Sequence, residues 1–562
     1  MHSESEIFNI RDILLNSCEK NKDKVAFQEK CNGDIISHTY SELREDVNAL
    51  GTKLIHMGLK GKHIAILGEN SYMWAISYLA VVNGVGVAVP IDKELPPESI
   101  AQLCEKGDVS VVIFSKTFIE NMGAITTQCE NIERCICMNE NEGEYTSIPG
   151  LVRNGRKLLK DGNREYLDAE IDNDAMSIII FTSGTTGANK GVMLSHSNIV
   201  TVSKIATEYF KKFKFIMSVL PLHHIYENVC GMITPINMGA TVFFNDSLKY
   251  LSPNLLKFKP DMSVMVPLFL ETMYKKIWIE AKKMKLEKTL RRSIKVSNFL
   301  LKFGIDLRPL WFRKIHKIFG GRLKTIVCGG AFLKPELVEN YRDLGINVIN
   351  GYGITECASL VSVNIGKKLS NSSIGKVVAC NDVKINNPDD EGVGEIMVNG
   401  KNVMLGYYKD RESTERSFDG QWFNTGDLGW LDENNNLFMT GRKKNLIVLD
   451  NGKNVHPEEI EGYILRYMPF VQEAIVYTSK NKSGSEMIVA AVYIDKNFFG
   501  QFDNYEIQQM IDEGLKEVNM HLPNFKKIHR IVIKDEEFKK TTSRKIIRDV
   551  FLKEVNKVGA ES

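Results

Sequence analysis

A short apolar run that leads directly into a loop rich in glycine and hydroxyl groups constrains this chain more than any other feature. The run is Met176 to Phe181, and the loop that follows ends at Lys190 and Gly191. Glycines let successive backbone N–H groups converge on an anion, while hydroxyls and a lysine add donors and positive charge. The pattern predicts a strand followed by a phosphate-binding loop. The candidate residues are Thr182, Ser183, Gly184, Thr185, Thr186 and Lys190.

This loop is not the common P-loop, in which Ser or Thr follows the lysine, because Gly191 follows Lys190. An apolar strand that feeds such a loop points to a nucleotide. The alternative is a mobile Gly- and Thr-rich surface loop without a ligand.

Apolar runs alternate with helical patterns along most of the chain. This alternation indicates βαβ units, and therefore an α/β fold with largely parallel sheets. Between residues 375 and 408 short runs are separated by turn residues, which is typical of a small antiparallel β unit. A compact α+β stretch of about 120 residues follows residue 441. The predicted strands outside these two regions are at 64–67, 109–114, 176–181, 241–244, 262–266 and 323–327, and a helix is predicted at 73–82.

Composition excludes several classes of protein. A chain of 562 residues is too long for one core, and a net charge of +2 predicts no general attraction to nucleic acid. No window of about 18 residues is continuously apolar, and the first residues do not resemble a signal peptide, so we expect a cytoplasmic protein. The ten cysteines are scattered, which favours free thiols. The sequence does not indicate an oligomeric state.

One region departs from this neutrality. Between Lys275 and Lys324 there are 16 Lys or Arg residues and three Asp or Glu residues, a net charge of +13. Apolar residues are interleaved with these charges at roughly helical spacing. One interpretation is a pair of amphipathic helices with a solvated basic face. The other is a surface that contacts anionic membrane or the phosphates of an acyl carrier.

Four more segments occur in order after the loop. They are Asn350 to Glu356 (Asn-Gly-Tyr-Gly-Ile-Thr-Glu), Trp422 to Asp427 (Trp-Phe-Asn-Thr-Gly-Asp), Gly441 to Glu461, and Lys540 to Arg548. Together with the loop they resemble the signature motifs of the adenylate-forming superfamily, which includes the acyl-CoA synthetases. The resemblance extends over nearly the whole chain, and the basic insertion before residue 329 is similar to that of the long-chain members.

The resemblance implies a fold, a reaction and substrates. The expected fold is a large N-terminal domain, residues 1–441, with parallel sheets and a small β-barrel over about 375–441, followed by a mobile α+β domain, residues 442–562. The implied reaction activates a carboxylic acid, expected to be a medium- to long-chain fatty acid, with ATP and Mg²⁺ to acyl-AMP, releases pyrophosphate, and then transfers the acyl group to CoA. Transfer to the phosphopantetheine of an acyl carrier protein, or a non-catalytic acyl- or nucleotide-binding relative, are the alternatives.

The resemblance also implies roles for individual residues. The implied nucleotide-binding residues beyond the loop are Gly329, Gly330, Ala331, Gly351, Tyr352, Gly353, Asp427 and Arg442. The implied catalytic residues are His224, Thr355, Glu356 and Lys545, with Thr182 and Glu356 as Mg²⁺ ligands and Lys444 as the hinge between the domains.

The segment Leu220 to Glu227 resembles the gate of the acid pocket. Members that adenylate amino acids have an aspartate near this point, and none lies between Leu220 and Gly239, which disfavours an amino-acid substrate. The apolar and small residues around Ile225, Gly329, Ala331 and Ala358 instead suit an alkyl or aryl tail. Two positions depart from the family pattern. Arg544 stands where many members have glycine, and Leu449 begins a turn whose usual residues are Ser and Gly.

Overall fold

The computed structural model describes residues 6–31, 33–140, 144–183, 189–366, 372–449, 453–480, 486–494, 502–540 and 546–560. The chain divides into two compact units. The first unit comprises Met1–Asp382 and Val398–Phe423, and the second comprises Val383–Met397 and Asn424–Ser562. The domain boundary expected at residue 441 stays a prediction.

Helices and strands alternate through most of the first 366 residues, as predicted. Up to residue 172 the elements are α1 (Ile10–Lys20), β1 (Val25–Cys31), β2 (Asp34–Thr39), α2 (Tyr40–His56), β3 (His63–Leu67), α3 (Tyr72–Ala80), β4 (Val87–Ile91), α4 (Pro97–Lys106), β5 (Val109–Phe114), α5 (Ile119–Gln128), β6 (Arg134–Cys137), β7 (Thr146–Ser147) and α6 (Ile148–Lys160). From there to residue 366 they are β8 (Met176–Ser183), β9 (Asn189–Ser195), α7 (His196–Phe210), β10 (Phe215–Ser218), α8 (Ile225–Glu227), α9 (Thr234–Asn237), β11 (Thr241–Phe244), α10 (Leu251–Phe258), β12 (Met262–Met265), α11 (Pro267–Lys283), α12 (Glu287–Leu301), α13 (Arg308–Trp311), α14 (Arg313–Ile318), β13 (Thr325–Cys328), α15 (Pro335–Asp343), β14 (Asn347–Tyr352) and β15 (Ser362–Val363).

Short strands dominate the next part of the chain, and an α+β arrangement follows. From residue 372 to 449 the elements are β16 (Gly375–Val377), β17 (Asn381–Asn386), β18 (Gly394–Gly400), β19 (Gly406–Tyr407), α16 (Arg411–Ser417), β20 (Phe418–Asp419), β21 (Trp422–Leu431), β22 (Asn436–Arg442) and β23 (Ile447–Val448). After residue 452 they are β24 (Asn454–Val455), α17 (Pro457–Tyr467), β25 (Val471–Lys480), β26 (Glu486–Ile494), α18 (Asn504–Met520), β27 (Arg530–Lys534) and α19 (Arg548–Ala560).

Two largely parallel sheets form the first unit, which confirms the α/β prediction. In the first sheet the strand order is β19-β9-β8-β4-β3-β5-β6-β7. In the second sheet the order within this unit is β16-β15-β14-β13-β12-β10-β11-β1-β2. Strands β3 to β6 are parallel in the first sheet, and β1 and β10 to β14 are parallel in the second.

The sequence of the central strands explains these sheets. All six residues of β5 are buried, and four of them are Val or Ile. Such continuous apolar strands need cover on both faces, which the intervening helices provide. In the first sheet, Val112 and Phe114 share a core with Ile100 of α4 and Ile125 of α5.

The second unit is α+β. Strands β21 and β22 form an antiparallel pair, β25 pairs antiparallel with β26, and β26 pairs parallel with β27. Helix α17 contributes Ile460 and Ile464 to a buried core, and Ile488 of β26 and Val518 of α18 belong to the same core. The described residues between 455 and 528 therefore enclose an apolar core of their own.

Two predictions from composition can be compared with this fold. All ten cysteines are free. In the described part of the chain, no helix combines the length and the apolar character that crossing a membrane requires.

Candidate active site

The predicted phosphate-binding loop is carried by an antiparallel hairpin. Strand β8 ends at Ser183 and β9 begins at Asn189, and Thr182 is the register partner of Lys190. The Thr182 hydroxyl lies 3.5 Å from the Lys190 carbonyl oxygen. Both predicted side chains therefore stand together at the base of the loop. Gly184, Thr185 and Thr186 lie outside the described residues, and so does the side chain of Ser183.

The hairpin is fixed to its surroundings by the start of α7. Ser195 caps this helix by accepting a hydrogen bond from the Asn198 N–H, and the Asn198 side chain bonds back to the Ser195 N–H. The Asn198 amide also donates to the carbonyls of Lys401 and Val403. Since β19 then pairs with β9, the segment that carries Tyr407 is held against the hairpin.

Tyr407 connects the predicted loop lysine to the predicted metal carboxylate. The ammonium group of Lys190 lies 4.5 Å from the centre of the Tyr407 ring, which is a cation–π contact. The Tyr407 hydroxyl donates to Glu356 Oε1 at 3.0 Å. Burial, together with the neighbouring Glu356, raises the pKa of Tyr407, so this hydroxyl stays protonated. Sequence reasoning missed Tyr407, because neither composition nor spacing distinguishes it from the adjacent Tyr408.

Thr355 and Glu356 lie on a tight turn after β14. A single 3₁₀ turn spans Thr355–Cys357, and the following Ala358 adopts a left-handed conformation with φ of 47°. Gly353 is required here, because a Cβ atom on it would lie 2.0 Å from the Ser359 carbonyl oxygen. A hydrogen bond from a distant segment holds this turn in place, because the Asn402 amide donates to the Cys357 carbonyl at 2.9 Å.

The predicted turns at residues 329–331 and 351–353 lie side by side. The first follows β13, and the second lies at the end of β14. These are adjacent parallel strands, in which Cys328 is the partner of Asn350. A Cβ atom on Gly329 would lie 3.0 Å from the Gly351 carbonyl oxygen and 3.3 Å from the Tyr226 hydroxyl. At Gly351 the same atom would meet nothing within 4 Å. The carboxyl ends of parallel strands, where α/β proteins bind their ligands, thus bring together two predicted nucleotide-binding turns. Tyr352 is only 7% exposed.

His224 lies at the end of an irregular segment after β10. It precedes α8, and its ring centre is 4.3 Å from that of His223. His223 Nε2 lies 3.6 Å from Asp92 Oδ2. Burial, with smaller contributions from His224 and Lys93, lowers the pKa of His223 well below its usual range, so His223 is neutral.

Glu227 is an acidic residue in the same segment that the sequence analysis did not weigh. It is fully buried, and its carboxyl lies against Gly231, where a Cβ atom would come within 2.3 Å of Oε1. The Ser218 hydroxyl and the amides of Val219 and Leu220 face this carboxyl. Burial raises the pKa of Glu227 to about 8, so the group is uncharged at neutral pH.

The second unit contains the predicted ribose-binding pair. Asp427 and Arg442 are register partners in β21 and β22, and Arg442 Nε lies 2.9 Å from Asp427 Oδ1. Asp427 is buried, while Arg442 is partly exposed. The hinge candidate Lys444 lies 3.8 Å from Asp549 Oδ2, measured from its ammonium nitrogen. Lys545 lies outside the described residues.

Comparison with known proteins identifies the family to which this chain belongs. Residues 14–408 match the model of the AMP-binding enzymes, and residues 444–558 match the model of the AMP-binding enzyme C-terminal domain. The long-chain-fatty-acid–CoA ligase 6 of Mus musculus is 30% identical over 470 residues, which are 77% of this chain and 67% of that protein. The long-chain-fatty-acid–CoA ligase FadD15 of Mycobacterium bovis is 28% identical over 494 residues, or 83% and 80% of the two chains.

Solved structures share the fold. The anthranilate CoA ligase AuaEII with anthranoyl-AMP aligns with a TM-score of 0.80 at 19% identity, covering 99% of this chain and 98% of that one. ATP-bound MatB from Rhodopseudomonas palustris aligns with a TM-score of 0.75 at 21% identity, covering 97% and 98%. With the two family models matching most of its length, the chain belongs to the AMP-binding enzymes of the adenylate-forming superfamily.

Proposed function

We propose that this protein is an AMP-forming acyl-CoA synthetase for a medium- to long-chain fatty acid. In the first step the acid carboxylate attacks the α-phosphorus of ATP, acyl-AMP forms and pyrophosphate leaves. In the second step the CoA thiol attacks the acyl carbon, and acyl-CoA and AMP are released. The single observation that carries the proposal is the link from Lys190 through Tyr407 to Glu356, which joins the lysine proposed to bind phosphate to the carboxylate proposed to bind Mg²⁺.

The first step needs positive charge and hydrogen-bond donors, since three anionic groups must be brought together. Lys190 and the loop hydroxyls would bind the β- and γ-phosphates, and Thr355 would donate to the α-phosphate. Glu356 is a half-buried carboxylate with a fixed orientation, and with the hydroxyl of Thr182 it offers the hard oxygen donors that Mg²⁺ prefers. When bound, Mg²⁺ neutralises charge on the phosphates.

The acid side of the site favours an uncharged tail. The segment 220–227 carries His224 as a polar group for the reacting carboxylate, and its one acidic residue, Glu227, is fully buried against Gly231 and is not exposed to a substrate. The relatives that name a fatty acid are similar to this chain over 77% and 83% of its length. Both observations support a fatty acid over an amino acid.

The second step requires a different arrangement, because the groups that stabilise pyrophosphate departure would obstruct the thiol. We propose that residues 442–562 form the mobile domain and that the chain turns at Lys444. Lys545 would bridge the acid carboxylate and the α-phosphate during adenylation only. Asp427 and Arg442, already paired with each other, would bind the ribose hydroxyls.

We also propose that helix α12 contacts anionic membrane, where fatty acids partition. Its inner face packs on the core through Leu290 and Ile294. On and just after its outer face Val296, Phe299 and Phe303 are 48%, 57% and 69% exposed. The same stretch contains Lys288, Arg292, Lys295 and Lys302, all of them exposed. Exposed aromatic side chains among basic ones suit the interface of an anionic bilayer.

A panel of acids tests the function. Pyrophosphate release should require both ATP and an acid, and it should be highest with saturated acids of medium to long chain. Thioester formation should occur with CoA. A purified holo acyl carrier protein in place of CoA is the matched comparison, and a higher rate with that carrier would assign the alternative acceptor. If none of the acids caused pyrophosphate release, the remaining interpretation would be a non-catalytic binding protein.

A further inference from the structure

The side-chain amide of Asn70 makes two hydrogen bonds to the backbone of the segment that leads to His224. Its Nδ2 group donates to the Leu220 carbonyl at 2.7 Å, and its Oδ1 accepts from the Leu222 N–H at 2.9 Å. The amide thus binds one backbone acceptor and one backbone donor, as a neighbouring strand would. Because both bonds join residues about 150 positions apart in sequence, they fix tertiary structure.

Asn70 lies where the two parallel sheets of the first unit approach each other. It follows β3, which belongs to the first sheet together with the loop strands β8 and β9. Leu220 follows β10 of the second sheet, and Nδ2 of Asn70 lies 3.5 Å from the hydroxyl of Ser218, the last residue of β10. The adjacent Ser71 caps α3 by accepting from the Trp74 N–H. Asn70 therefore joins a firmly anchored part of the first sheet to the acid-side segment of the second.

A second amide holds the same segment from the other side. Asn228, which is fully buried, donates from Nδ2 to the Leu222 carbonyl at 3.4 Å, and its backbone N–H donates to the His224 carbonyl at 2.9 Å. Both backbone groups of Leu222 are thus bound by side-chain amides. Leu222 lies two residues before His224, so these bonds set where the histidine stands.

We infer that Asn70 is a positioning residue for the acid-activating step, because it sets the His224 segment at a fixed distance from the phosphate loop. This inference rests on the proposed function. In-line attack requires the carboxylate and the α-phosphorus to be held in near-contact geometry, and a misplacement of about 1 Å can cost on the order of 100-fold in rate. The phosphate loop belongs to one sheet and the acid-side segment follows a strand of the other. Asn70, which follows β3 of the loop's sheet, bonds directly to the acid-side segment.

The variant Asn70→Ala removes both bonds and tests the inference. We expect the KM for decanoate to rise and kcat for pyrophosphate release to fall, by roughly tenfold in kcat/KM for the acid. The KM for ATP should stay within about twofold of wild type, since the loop strands are untouched. A KM for the acid that stays at the wild-type value would overturn the inference.

The variant Asn70→Asp separates positioning from a general loss of stability. As a carboxylate it can accept from the Leu222 N–H but repels the Leu220 carbonyl, whereas a protonated carboxyl can make both bonds. The ratio of variant to wild-type kcat/KM for the acid should therefore rise as pH is lowered, while the same ratio for Asn70→Ala should not. Glu29, Glu69, Glu227, His223 and His224 belong to the neighbouring elements and are present in all three proteins. The Asn70→Ala ratio is therefore the baseline against which the pH dependence of Asn70→Asp is compared.

A control and a readout independent of turnover complete the test. Asn237 donates to the hydroxyls of Ser203 and Thr207, so Asn237→Ala also loses two side-chain hydrogen bonds. It should leave the KM for the acid unchanged, and an equal rise would overturn the inference. In hydrogen exchange, a peptide covering residues 218–228 should exchange faster in Asn70→Ala than in wild type. Unchanged exchange in that peptide would overturn the inference even in an inactive protein, whereas failure of the wild type to release pyrophosphate would overturn only the proposed function.

Discussion

The hydroxyl of Tyr407 donates a hydrogen bond to Glu356 at 3.0 Å, and its ring lies under the ammonium group of Lys190. One side chain therefore orients the carboxylate proposed to bind Mg²⁺ and lies against the lysine proposed to bind phosphate. A hydrogen bond to a charged acceptor is worth about 1.5–3 kcal/mol. Loss of this bond should change the Mg²⁺ dependence of the reaction more than it changes the binding of the fatty acid.

The variant Tyr407→Phe keeps the ring and removes the hydroxyl. We expect the Mg²⁺ concentration for half-maximal pyrophosphate release to rise by about tenfold, with the KM for the acid nearly unchanged. Tyr408→Phe is the matched control, because the Tyr408 hydroxyl also donates to a carboxylate, that of Asp108, at 2.5 Å. Equal Mg²⁺ dependence in the two variants would contradict the role of Tyr407.

Removal of the proposed catalytic lysine should separate the two half-reactions. Lys545→Ala should abolish acyl-AMP formation, because the lysine is needed while negative charge builds on the α-phosphate. Thioester formation from supplied acyl-AMP and CoA should continue at a rate near that of wild type. Measured together, an equal loss in both half-reactions would remove the two-conformation mechanism.

The opposite pattern is expected at the hinge. Lys444→Pro fixes φ at the residue that must rotate, so adenylation should continue while thioester formation stops. Lys443→Pro is less suitable, since Lys443 donates to Glu395 at 2.7 Å and the loss of that bond would confuse the result. Lys444→Ala is the control, because it removes the ion pair with Asp549 and leaves the backbone free to turn. Normal overall turnover of the proline variant would exclude Lys444 as the hinge.

Glu227 should make the protein less stable as pH rises. Its folded pKa of about 8 lies above the usual value of 4.5, so in this range the folded state holds a proton that the unfolded state has lost. The contribution of Glu227 to the free energy of unfolding is fully present below pH 4.5, where the group is protonated in both states. It decreases as the pH rises and stops decreasing once the pH passes about 8. Between pH 6 and pH 8 the decrease should be about 2 kcal/mol. Thermal melting of wild type and Glu227→Gln at both pH values measures it, and parallel shifts in the two proteins would contradict the buried neutral acid.

The membrane contact can be tested with substitutions chosen from the structure. Lys283 and Arg291 already pair with Glu280 and Glu287, at 3.0 and 2.9 Å, so they are poor targets. Phe299→Ser with Phe303→Ser should weaken binding to vesicles that contain anionic lipid, and charge reversal at Arg292 and Lys295 should weaken it by about 1 kcal/mol per residue.

A control completes the vesicle test. Turnover of a short soluble acid should remain unchanged in each variant, because α12 carries none of the residues proposed to bind ATP. The membrane contact would be contradicted if the wild type did not bind vesicles, or if binding responded neither to salt nor to these substitutions. The remaining interpretation would then be a helix with a solvated basic face.

The strands and the motifs that lie on them were predictable, because their signals are local. The apolar run before residue 182 identified β8, and the same reasoning located β5 and β13. Strand pairing then placed Thr182 opposite Lys190 and Asp427 opposite Arg442. The motif resemblance supplied the roles that are predicted for these residues.

The residues that connect the motifs were not predictable from one sequence. Tyr407 contacts Lys190 more than 200 positions away, and Asn70 bonds to a segment about 150 positions away. Nothing in the local sequence distinguishes Tyr407 from Tyr408. In the sequence, Glu227 cannot be distinguished from an exposed acidic residue of a helix, because its burial against Gly231 is visible only in the structure. The Tyr407 contact forms only when β19 pairs with β9 in the first sheet, and the Asn70 contact forms only when the two sheets pack together.

The most direct measurement of the proposed chemistry follows one preparation of the protein by mass spectrometry. With ATP, Mg²⁺ and decanoate, and without CoA, decanoyl-AMP should accumulate in an amount stoichiometric with the protein. Addition of CoA should convert it to decanoyl-CoA and AMP. Appearance of acyl phosphate and ADP, or of decanoyl-CoA without acyl-AMP as a precursor, would contradict the mechanism.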